Sequence, residues 1–151
     1  MPTIETDILA DLIRAKRECL LQVRDLGRKQ MELIEKGEMT ALLDLLSVKQ
    51  KSIMQLQRIE KTLDPFRRQD PEQRAWSAPE ARAACAEQVE QCDILLAEVI
   101  KNEKYCETAL IRRREEAANQ LQGAHLAGCA RQAYLSGPDL PMHNLDLSTE
   151  R

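Results

Sequence analysis

Five cysteines, two histidines and one run of three arginines are the residues of this 151-residue chain whose types could do chemistry. Cys85, Cys92 and Cys106 follow one another at spacings of seven and fourteen residues, which places them on one face of a helix. Seven residues advance a helix by about 10 Å, whereas thiolates that share a zinc ion each lie about 2.3 Å from it, so the three cannot chelate one metal together. His125 and His143 stand near the C-terminal end without an HxxxH or CxxC spacing to recruit them, and no metal centre is expected. A nucleophilic cysteine needs a histidine in reach and an electropositive, partly exposed setting, but these thiols fall on an apolar stripe. They read as core packing, and no catalytic pair emerges.

The remaining chemical signatures are negative. There is no GxGxxG, GxxxxGKS/T or HExxH motif, and no ExxH of the kind that builds a di-iron site in a helical bundle. Arg112, Arg113 and Arg114 run directly into Glu115 and Glu116, which suits local ion pairing, and no aromatic side chains interleave them for base stacking. The expectation is a protein that is not an enzyme and takes no cofactor. Lys plus Arg number 22 against 25 Asp plus Glu, a net charge of −3, which disfavours a nucleic-acid binder held by bulk electrostatics.

The elements that position these residues are helical. The chain is 43% hydrophobic and 31% charged but only 3% aromatic, so its core must be built from Leu, Ile, Val, Ala, Met and Cys, as helices favour. Period-two alternation is absent. No apolar run approaches the roughly 20 residues that span a bilayer, and the start lacks the basic flank of a signal peptide, so a cytoplasmic protein with reduced thiols and no membrane insertion is expected. Leu9, Leu12, Ile13, Cys19, Leu20, Val23, Leu26, Leu33 and Ile34 fall at three-to-four spacing and predict a helix over about 4–36. Gly37 ends it in the manner of a left-handed cap, and a second helix over about 39–63 folds back with Leu42, Leu43, Leu46, Ile53, Leu56, Ile59 and Leu63 inward. Lys49, Gln50, Lys51, Gln57, Arg58 and Lys61 then form its solvated face.

Pro65, Pro71 and Pro79 predict a linker over 64–77, with Phe66 and Trp76 capping one end of the core. Ser77-Ala78-Pro79-Glu80 matches a capping box and opens a third helix over about 78–122, with Cys85, Val89, Cys92, Leu96, Val99, Cys106, Leu110, Ala117 and Leu121 on one stripe. Gly123 then separates a short helix over about 124–135 from a flexible tail over 136–151, in which Leu140, Met142, Leu145 and Leu147 are spaced like contacts for a partner groove. The fold class is all-α, with three long antiparallel helices in one domain over 1–135. At about 1.5 Å per residue the three segments measure roughly 48, 38 and 69 Å, so the third should outrun its partners and leave Leu110, Ile111, Ala117 and Leu121 uncovered.

The stretch over residues 9–63, a leucine-rich helix, the Gly37-Glu38 turn, then Leu42, Leu43, Leu46 and Lys49, resembles the flagellar type III export chaperones of the FlgN class. The resemblance implies an ATP-independent cytoplasmic chaperone. It would hold the amphipathic terminal helices of hook-associated proteins before export, contact components of the export apparatus, and grip its client through its C-terminal region. On that footing the candidate client-binding residues are Leu110, Ile111, Leu121, Leu126, Tyr134 and Leu135, acting as helix-in-groove anchors. The competing reading is a structural coiled-coil or adaptor protein that homodimerises through its third helix.

Overall fold

The computed structural model describes the backbone of residues 2–136 and side chains from residue 5 onward. The tail over 137–151, with Leu140, Met142, Leu145, Leu147 and His143, lies outside the described residues. Three long helices carry the chain: α1 (Pro2–Lys36), α2 (Met39–Arg67) and α3 (Pro79–Ser136), with a single 3-10 turn at Pro71–Gln73. No strand occurs among the described residues. The chain divides into two compact units between Leu110 and Ile111, both of them within α3.

The α1–α2 corner is as tight as a helical turn can be. Gly37 has φ of 72°, its N–H donates to the Ile34 carbonyl at 3.1 Å, and the Glu38 N–H donates to the Leu33 carbonyl at 3.0 Å. This pair of bonds satisfies two carbonyls that the end of α1 would otherwise leave free. Glu38 then serves α2, its carbonyl accepting from the Leu42 N–H at 3.0 Å. One left-handed residue therefore reverses the chain, and that conformation costs a residue with a Cβ about 1–2 kcal/mol.

Within the first unit, α1 buries Thr6, Leu9, Ile13, Leu20, Val23, Gly27, Gln30 and Ile34, a seam of alternating three- and four-residue steps missing only half-buried Lys16. One core cluster joins Leu9, Ile13 and Leu20 to Ile59, Leu63, Cys92 and Leu95, and a second joins Leu33, Ile34, Leu42 and Cys106. Each fully buried aliphatic side chain here contributes about 1.5–3 kcal/mol. Against α3, Cys92 Sγ sits 3.8 Å from the Ile13 carbonyl and Cys106 Sγ 3.9 Å from the Gly27 carbonyl, both contacts spanning 79 residues. The recurrence of one offset means that residue numbers ascend together on α1 and α3. At Gly27 a Cβ would come within 2.7 Å of Asn102 Nδ2, so glycine leaves room for that side chain of α3.

Several expected boundaries and faces need correction. The second helix continues past 63 and through Pro65 to Arg67. A proline that near a helix end forfeits one hydrogen bond, while Phe66 packs on the core and Arg67 pairs with Asp64 at 2.7 Å and with Glu60. Burial opposes the charge on Glu60, yet hydrogen bonds from Lys16 and Arg67 prevail and hold its carboxyl below the usual range. The linker is shorter than 64–77 and is pinned by the Thr6 hydroxyl, which donates to the Ala75 carbonyl at 2.8 Å. The first turn of α3 starts from the Ala78 carbonyl, which accepts from the Ala81 and Arg82 amides, so Pro79 occupies the first helical position and the start falls one residue after the capping-box register.

Lys49 does not belong to a solvated face. It is 4% exposed, donates from Nζ to Gln30 Oε1 at 2.7 Å and pairs with Glu103. Desolvation pulls its pKa below the ordinary lysine value, against an opposing pull from Cys106. On α3 the buried side is Cys85, Cys92, Leu95 and Cys106, whereas Val89, Leu96 and Leu110 of the expected stripe are exposed. The separate short helix over 124–135 is absent as such, because α3 passes through Gly123 and Gly128 without a break. Two glycines lower helix propensity by about 1 kcal/mol each but do not interrupt the hydrogen-bond ladder.

Gly37→Ala should lower the unfolding free energy by about 1 kcal/mol or more in urea titration. The Gly123→Ala, Gly128→Ala double variant should instead raise helicity by circular dichroism, since a Cβ at either site meets nothing within 4 Å.

Candidate functional site

The candidate client-binding residues lie in the last third of α3. Leu110, the last residue of the first unit, is 40% exposed. In the second unit, Ile111, Leu121, Leu126, Tyr134 and Leu135 are all exposed, Tyr134 to 87%. Every described residue over 114–136 is exposed.

These side chains do not fall on one stripe. At about 100° per residue, Leu121 and Leu135 stand roughly 40° apart around the helix, whereas Leu126 is turned about 140° from Leu121 and Tyr134 lies on the Leu126 side. Ala117 and Ala124 share the Leu121 face; Ala130 and Ala133 share the Leu126 face. The segment over 117–136 has Arg131 as its one fully charged residue, with no acid at all. A helix exposed all round normally carries a charged face, whereas here Gln122, His125, Gln132 and Ser136 make a polar but almost uncharged one between the two apolar faces.

A contact that spacing rules for metals overlook joins His125 and Cys129, four residues apart on this exposed segment. His125 Nε2 lies 3.7 Å from Cys129 Sγ. The HxxxC spacing was its sequence signal, since i and i+4 share a helix face. Cys129 is the exposed thiol; Cys19, Cys85, Cys92 and Cys106 are buried, and all five are free of disulfide. Burial pushes the four inner thiols up, away from the reactive thiolate. The inner thiols act as small donors to main-chain carbonyls, Cys19 to Ser52 at 3.1 Å, Cys92 to Ile13 and Cys106 to Gly27. Among the described residues no group of three or more His, Cys, Asp or Glu is placed to hold a metal ion. No described helix is long and apolar enough to cross a membrane.

No family model, curated protein or solved structure matches the chain. What residues 117–136 offer chemically is therefore read from their own side chains: an exposed, nearly uncharged stretch of helix with four large apolar side chains, Leu121, Leu126, Tyr134 and Leu135, and one exposed thiol beside an imidazole.

Thiol titration with an aromatic disulfide reagent on the native protein should report one fast-reacting cysteine, lost in Cys129→Ser. The other four should appear only on unfolding in guanidinium. Two or more fast thiols in native protein would contradict the packing of the cysteine seam.

Proposed function

We propose that this protein is a cytoplasmic, ATP-independent chaperone of the flagellar export kind, which covers amphipathic terminal helices of hook-associated proteins until they are secreted. The proposal takes the three helices as an up-down-up bundle. Its support is the shared 79-residue offset of the Cys92–Ile13 and Cys106–Gly27 contacts together with the one-residue reversal at Gly37. The observation that carries the functional reading is the exposed, almost charge-free helical segment over 117–136.

The physical logic is direct. An exported subunit's amphipathic end self-associates if left bare, so its chaperone must offer apolar area of its own and release it at the export gate. Helix-against-helix binding through a few leucine and tyrosine anchors provides affinity, and the ordering of a disordered client subtracts from it, which keeps the complex reversible. Alanines and glycines between the anchors let a client helix approach closely. Two apolar faces, one through Leu121 and Leu135 and one through Leu126 and Tyr134, suit a client that wraps the segment as more than one helix.

A second reading has its own observation. Val89, Leu96 and Ile100 of the first unit are exposed at steps of seven and four, the spacing of a coiled-coil seam, which favours a homodimer through the third helix.

The two readings part in one experiment. Intact protein and a Leu121→Asp, Leu135→Asp variant are used to bind purified hook-associated protein, with the mass of each followed by analytical ultracentrifugation. The chaperone reading expects a complex with the intact form and a loss of about tenfold or more in affinity in the variant. No complex, together with a dimer that Leu96→Asp, Ile100→Asp turns into monomer, overturns it in favour of the homodimer.

A further inference from the structure

His125 and Cys129 stand one helical turn apart in the second unit, both exposed, with Nε2 3.7 Å from Sγ. Residues at i and i+4 share a helix face, so the backbone itself sets the imidazole beside the thiol. Zinc binds an imidazole nitrogen at about 2.0–2.1 Å and a thiolate sulfur at about 2.3 Å, and across a tetrahedral corner those bonds put nitrogen and sulfur about 3.6 Å apart. The observed separation already matches two ligands of one tetrahedral ion. Imidazole and thiolate together select zinc over magnesium or calcium, which take oxygen.

Two ligands are half of a site. Among the described residues no third His, Cys, Asp or Glu joins them, and the segment over 117–136 contains no acid. A second copy of the chain supplies what is missing, because a two-fold axis through the ion repeats the same pair. The surroundings suit that arrangement. Two thiolates cancel the double positive charge of zinc and leave a neutral centre in a stretch whose one fully charged residue, Arg131, is turned about 120° or more around the helix from both ligands. Leu121 lies about 40° to one side of His125 and Leu126 about 60° to the other side of Cys129, so a helix laid across the ion covers both leucines and shuts water out. Gly128, next to Cys129, adds no side chain, and a Cβ there would meet nothing within 4 Å, which leaves the thiol open to approach.

We propose that His125 and Cys129 form half of a zinc site, completed by the same two residues of a second copy, so that a centre of two imidazoles and two thiolates joins two chains through the segment over 117–136. Each Cys129 binds as thiolate, its proton passes to solvent, and no electron changes hands. The inference does not rest on the chaperone reading.

Zinc is titrated into full-length, untagged, metal-free protein in a non-thiol reductant, with stoichiometry from calorimetry, mass from analytical ultracentrifugation and cobalt(II) as the spectroscopic probe. The expected result is one zinc per two chains, a species of two chains at that ratio, and the intense visible bands of tetrahedral cobalt with thiolate-to-metal charge transfer. Magnesium should give no heat. Cys129→Ser and His125→Gln should each lose about a hundredfold or more in zinc affinity with helicity unchanged, since both side chains are exposed. The four inner cysteines and His143 remain in both variants, so full zinc affinity in either one overturns the proposal. One zinc per chain, the pale spectrum of octahedral cobalt, or no saturable binding overturns it as well.

Discussion

Thiols of α3 meet main-chain carbonyls of α1, and this contact sets the third helix against the more closely packed α1–α2 pair. It requires small side chains on both helices: Cys92 and Cys106 on α3, reaching the Ile13 and Gly27 carbonyls, and no side chain at all at Gly27. Cysteine suits such positions because it is compact, apolar and still a weak donor, so it fills the seam and gives a helical carbonyl a second partner. Larger residues there would separate the helices and open both core clusters. The same spacing fixes where Lys49 must go, held between Gln30 of α1 and Glu103 of α3. An ion pair in that place adds little net stability, and it penalises any packing register that leaves the ammonium without its two partners.

The seam also explains why α3 carries two kinds of surface. From Cys85 to Cys106 the helix has a buried face, with Ala109 and Arg113 the last half-buried positions, and from 114 to 136 it has none. Burial rather than propensity supplies most helical stability in water. A segment rich in alanine but interrupted by Gly123 and Gly128, and almost without charge, is therefore the part of α3 with least to hold it and most to gain from a partner. Its apolar side chains and its accessible Cys129 belong to that same uncovered stretch.

How much of this was legible in the sequence depends on which signal each feature leaves. The break at Gly37 was plain, because only glycine takes a left-handed turn cheaply. Pro65 lies inside α2 because proline ends a helix only where no tertiary contact offsets the lost bond, and Phe66 and Arg67 supply those contacts. Lys49 reads as solvated by its type, although the seven-residue steps Leu42, Lys49, Leu56, Leu63 place it on the inner line of α2. On α3 the cysteines of the expected stripe are buried and Leu95 joins them, whereas Val89, Leu96 and Leu110 of the same stripe are exposed. The exposed Leu121, Leu126, Tyr134 and Leu135 are legible as a surplus of apolar residues.

α3 is one helix with a buried face from Cys85 to Cys106 and none over 114–136. Amide hydrogen exchange followed by mass spectrometry on the dilute free protein tests it most directly. Peptides over 85–106 should be protected to the limit set by global unfolding, while peptides over 117–136 should exchange orders of magnitude faster and slow only when a partner is added or the protein is concentrated. Uniform, near-global protection along the whole of α3 in the dilute free protein would contradict it.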